Sequence, residues 1–173
     1  RPEPDFDWKR LEGREVLVDH GEQPMAMFRY ACFRRGADFD AIGATDAGST
    51  DSMIEAFRAG RGDYVHLQGP APQQLEHEGC GHIVAAVGEA VGPCAFSSLA
   101  ATREWLASDL ARAFMRAYRR ARAWLIAAPA VEVAALEAPF FPGVERAAST
   151  AGAAISRSSA TGRRMSRSRA RPT

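Results

Sequence analysis

A chain of 173 residues that is 46% hydrophobic and 25% charged can build one domain, or one large lobe, around its own core. No apolar run approaches the roughly 20 residues of a membrane span, and the opening RPEPDFDWKR is polar and proline-rich, unlike a signal peptide. The net charge of +1 hides an asymmetry: 148–173 holds six arginines and no acid, so the remainder is acidic by five charges and makes a poor nucleic-acid footprint.

Residues 1–13 read as a linker with a short turn around Trp8 and Leu11. REVLVD (14–19) is the first predicted strand, with Val16, Leu17 and Val18 buried. HGEQP follows, Pro24 suiting a first helical turn. The helix continues through MAMFRYACFRRG, with Met25, Phe28 and Cys32 on one face and Gly36 as its stop. FDAIGATDA (39–47) is the second strand. Ser49 and Thr50 are N-cap candidates for the next helix, and Ser52-x-x-Glu55 has the form of a capping box. That helix runs to about Ala59 with Ile54 and Phe57 inward, and Gly60 ends it.

DYVHL (63–67) is the third strand. Pro70 and Pro72 open a short helix that ends near Gly79, and HIVAAV (82–87) is the fourth strand. The plan changes after Gly92. CAFSSLA (94–100) is a fifth extended segment and TREWLAS a short helix. DLARAFMRAYRRARAWLIAA is a long amphipathic helix carrying Leu110, Phe114, Tyr118, Ala121 and Leu125 on one face. Pro129 breaks it and starts AVEVAALEA, and PFFPG is a turn between prolines. The tail from about Ala148 has few large apolar residues, and disorder is expected beyond Ile155.

Strands alternating with helices of this length predict an α/β fold: a mostly parallel open sheet with helices on both faces, followed by a helical C-terminal segment. The units are a linker (1–13), a βα ligand-binding lobe (14–93), a return strand with helices (94–147) and an Arg/Ser-rich tail (148–173). In such a sheet every loop after a strand lies on one edge, where ligands bind.

Three loops of that edge carry the candidate site. In 19–25, the N-terminus of a helix offers free backbone N–H groups, Gly21 permits close approach and Gln23 can donate or accept. Glu22 argues against a strongly anionic ligand there, and a plain βα turn explains the segment equally well. In 46–51, Ser49 and Thr50 are polar, but helix capping accounts for both. HLQGP (66–70) is the strongest candidate: His66 and Gln68 share one side of the strand end, next to Gly69. The competing account of His66 is a histidine satisfied within the sheet.

Other chemistry finds little support. His20, His66, His77 and His82 have no metal-ligand spacing, nor do Cys32, Cys80 and Cys94. Cys80 and Cys94 flank the fourth predicted strand, and their pairing stays open. Lys9 is the single lysine and sits in the N-terminal segment, which disfavours Schiff-base chemistry. No nucleophile triad, phosphate-binding glycine loop or paired-carboxylate pattern stands out, so no catalytic residue, metal or cofactor is assigned.

In order and spacing, EAFRAGRGDYVHLQGPAPQQLEHEG, SSLAATREWL, ARAFMRAYRRARAWL and FFPGV resemble the periplasmic substrate-binding proteins of ABC importers, of the nitrate/sulfonate/taurine and thiamine-pyrimidine-precursor type. The resemblance covers about four-fifths of the chain, from Trp8 to Pro142. It implies one lobe of a type II periplasmic-binding-protein fold, with most of a first lobe not represented before Arg1. It also implies a small polar or anionic organic solute bound between lobes, a membrane permease as partner and a bacterial periplasmic or lipid-anchored location. A homo-oligomer covering the exposed half-cleft is a further expectation. Two alternatives remain at this point: an enzyme of the thiamine-pyrimidine synthase kind on the same fold, and a truncated protein without ligand function. An Arg/Ser-tailed nucleic-acid binder is a third, disfavoured by the acidic body.

Overall fold

The computed structural model describes residue 3 and residues 5–19, 22–94, 98–145 and 148–154, Glu22 by its backbone alone. His20, Gly21 and the tail from Ile155, where disorder is expected, lie outside the described residues. The fold is α/β. Strand β1 (Glu15–Val18) stands between β2 (Gly43–Asp46) and β3 (Tyr64–Val65), and both pairings are parallel. Val16 faces Ala44 on one side and Tyr64 on the other, and Leu17 faces Thr45 and Val65. The unbroken aliphatic run of β1 is what a parallel strand covered on both faces requires. Val16, Leu17 and Val18 are accordingly all buried.

Alternation along β1 sends Val16 and Val18 one way and Leu17 the other. On the Val16/Val18 face, helix α1 (Glu22–Arg35) contributes Phe28, Ala31 and Cys32. Helix α4 (Val87–Val91) adds Ala90 and Val91 to the same cluster. Trp8 and Leu11, in a 3-10 turn within the segment expected as a linker, complete this core. Burial pushes the Cys32 thiol up to about 11, leaving it an inert apolar group. Helix α2 (Thr50–Arg58) packs on β1, β3 and helix α3 (Ala71–His77), toward the side to which Leu17 points.

Helices α1, α2 and α3 end in the same way. Gly36, Gly60 and Gly79 take positive φ (73°, 81°, 74°), and paired bonds close each end: Gly60 N–H to Phe57 O at 3.0 Å and Arg61 N–H to Ala56 O at 3.0 Å, for example. This Schellman arrangement satisfies carbonyls that the helix leaves open, and glycine adopts it without a Cβ penalty.

The structure corrects several sequence expectations. Residues 82–86 form no strand: the Ile83 N–H is taken by Glu76 Oε1 at 3.0 Å, and α4 begins at Val87. The second strand keeps only its later half. Asp38 accepts from the Asp40 N–H at 3.0 Å and caps a 3-10 turn over Phe39–Ala41. The third strand shortens to Tyr64–Val65. In α2 it is Met53 and Ala56 that are buried, whereas Ile54 and Phe57 are half-buried. The cap is Ser49, whose Oγ accepts from the Ser52 N–H at 3.2 Å, so Ser52 acts as donor and not as the head of a capping box. Of the fifth extended segment, 95–97 lie outside the described residues and 98–100 have no regular structure.

The C-terminal helices are α5 (Arg103–Leu106), α6 (Asp109–Ala127) and α7 (Ala130–Glu137). Ser108 caps α6 through the Ala111 N–H (3.1 Å), and Pro129 separates α6 from α7. Residues 148–154 are helical, and Ala153 packs with Ala128 and Val133. This end is tied to the βα lobe: the Glu145 N–H donates to Gln74 Oε1 at 2.8 Å, and Gly152 lies against Pro70. Helix α6 itself stays exposed, with Leu110 at 64%, Phe114 at 43% and Tyr118 at 46%.

Candidate functional site

The strand order 2-1-3 fixes where a ligand crevice opens. The loop after β1 leads to α1 on one face, and the loop after β3 leads to α3 on the other. Loops that diverge in this way leave a gap beyond the carboxyl ends of their strands. An open groove of about 1830 Å³ runs along β3, and its wall includes Pro24 and Met27 from α1 and His66, Gln68, Gly69 and Gln73 from the β3–α3 connection.

His66 sits at the mouth of this groove. Its N–H donates to Leu17 O at 2.9 Å, which extends the β1–β3 contact by one residue. Its ring stacks on Phe28, with centroids 5.0 Å apart and planes 17° from parallel. Burial pushes its pKa below 6.5, with the nearby Asp19 opposing. The imidazole is therefore neutral at pH 7, a hydrogen-bonding group and not a fixed cation. Its backbone is paired with β1, while its ring lies against Phe28 and lines the groove.

Gln68 and Gly69 are exposed on the loop. Gly69 lies over the Gln73 side chain, and a Cβ added there would stand 3.3 Å from Gln73 Oε1. Gln23 is exposed in the first turn of α1, and Gly21 lies outside the described residues. Ser49 and Thr50 follow β2, on the opposite flank of β1 from β3, and neither lines the groove. Ser49 is occupied as a helix cap. The structure thus brings together His66, Gln68 and Gly69 and sets Ser49 and Thr50 apart.

Gln73 went unnoticed in the sequence. Glutamine in a short polar helix ordinarily points to water, yet Gln73 is 8% exposed. Its Oε1 is buried without a hydrogen-bond partner among the described residues. The nearest sequence signal was the glycine at 69, which leaves room for a side chain to pack under the loop.

Among the described residues no group of three or more His, Cys, Asp or Glu side chains is placed to hold a metal ion. Cys32, Cys80 and Cys94 are free thiols. No helix among the described residues is long and apolar enough to cross a membrane.

Among curated proteins the chain is similar to "Putative binding protein YtlA" of Bacillus subtilis (strain 168), with 31% identity over 127 residues. The match covers 69% of this chain and 37% of the relative, so the chain spans little more than a third of that protein's length. No protein-family model matches, and no solved structure matches.

Proposed function

We propose that this chain belongs to the solute-binding component of an ABC-type importer and forms one wall of a cleft that takes a small polar organic solute. The groove along β3, with His66, Gln68 and Gly69 on its wall, carries this reading. The similarity to a protein named for binding supports it. The reading is of a binding role: the wall offers hydrogen-bonding groups and the flat His66 ring. Closure of a second wall over the solute would supply the conformational signal that a membrane permease reads. A periplasmic or lipid-anchored location follows from that role, and fractionation of the producing cell checks it.

One wall without its opposite binds weakly, because most of a bound ligand's surface stays wet. The test is a titration of the isotope-labelled chain with nitrate, sulfonates, pyrimidines and aromatic acids, followed by amide chemical shifts. Weak binding with shifts gathered at 22–25 and 66–73 is expected. Shifts gathered on 109–127 with those loops silent would reject the site.

A further inference from the structure

We propose that the β3–α3 connection, through Gln73 beneath Gly69, is a hydrogen-bond-accepting subsite for a nitrogen donor of the ligand: a protonated amine, an amidine or an amino-substituted heterocycle. It rests on the binding function proposed above and narrows the polar or anionic solute expected from the sequence.

The first support is an acceptor in want of a donor. Gln73 Oε1 is buried and has no hydrogen-bond partner among the described residues, although the residue lines the groove. Buried acceptors are rarely left in this state, and an unmet one is costly. Two glycines come close to it: a Cβ would stand 3.3 Å from Oε1 at Gly69 and 3.8 Å at Gly152. No side chain from either position screens the oxygen. The second support is charge. The stretch that holds the acceptor, 66–73, carries neither lysine nor arginine. The groove's arginines come from elsewhere: Arg10 pairs with Glu3 (3.0 Å), Arg14 with Asp63 (3.8 Å), Arg35 donates to Glu89 O (3.3 Å), and Arg122 belongs to α6. His66 adds a flat neutral ring against Phe28. An unmet acceptor on a stretch free of fixed cations, beside a neutral ring, fits a planar amidinium or amino-bearing solute better than an anion.

Benzamidine and benzoate, alike in size and opposite in charge, decide the matter on the full chain. Benzamidine is expected to shift the Gln73 side-chain amide and the 66–70 backbone resonances, and benzoate to leave them in place. Gln73→Leu should weaken benzamidine binding about ten-fold, the order of one hydrogen bond to a charged group. Gly69→Ala keeps Gln73 and places a methyl over its oxygen, so the same loss is expected with the core intact. Benzoate binding at these residues as tightly as benzamidine would overturn the donor subsite while leaving solute binding in place. Benzamidine affinity unchanged in both variants would overturn it as well. Binding of neither probe, nor of any solute in the wider titration, would overturn both the subsite and the proposed function.

Discussion

Gly62 and Leu17 limit one another in a way that neither composition nor pattern discloses. Gly62 has φ +73°, and a Cβ there would fall 2.7 Å from Leu17 Cγ at the centre of the sheet. Gly60, two residues earlier, has φ +81° with nothing within 4 Å of the same atom. Replacing Gly60 by alanine therefore costs backbone strain alone, about 1–2 kcal/mol. Replacing Gly62 adds the displacement of a fully buried leucine, roughly 1–3 kcal/mol more. Urea unfolding should rank the wild type above Gly60→Ala and Gly60→Ala above Gly62→Ala. Equal midpoints for the two variants would show that Leu17 yields freely.

Helix α2 shows how a candidate ligand residue can be fully accounted for by local structure. Ser49 Oγ accepts from the Ser52 N–H and lies 3.1 Å from Ser52 Oγ, closing the first turn. Ser49→Ala should lower stability by about 1 kcal/mol, and Ser49→Asp, which caps equally well and faces the positive end of the helix dipole, should restore it. Denaturant midpoints read this directly, and an alanine variant as stable as the wild type would remove the cap from the account. The same principle decided residues 82–86. A strand needs a neighbour to pair with, and the Ile83 N–H found a carboxylate on α3 instead.

The long α6 helix is amphipathic, and among the described residues its apolar side stays largely open to solvent despite the Trp105 ring against Phe114. Leu110, Phe114, Tyr118 and Leu125 follow one another at helical spacing and are all exposed. Leu106 and Trp124 are exposed beside them. A contiguous apolar surface of this kind tends to be covered, and a second copy of the chain is our proposal for the cover when the protein is produced alone. Sedimentation should then give a mass above the 18.7 kDa monomer. Leu110→Glu combined with Phe114→Glu should shift the distribution toward the monomer without unfolding the βα lobe. A wild-type chain that sediments as a well-behaved monomer would reject the association.

Much of the architecture was readable in the residues themselves. Gly36, Gly60 and Gly79 mark helix ends because a positive φ is a property of one residue and its immediate neighbours. Val16-Leu17-Val18 declares a doubly covered strand, and the alternation of strands with helices implies parallel pairing, since both are short-range patterns. The prolines at 24 and 129 and the serines at 49 and 108 bracket helices for the same local reason. What remained hidden depends on residues far apart in the chain. Whether 82–86 pairs, whether Met53 or Ile54 turns inward, and whether Pro24 lines the same groove as 66–69 while Ser49 and Thr50 stand apart are settled by packing. Gln73 is the clearest case: Gly69 and Gly152, some eighty residues apart in the chain, both come close to its side chain, and no short window along the sequence contains both.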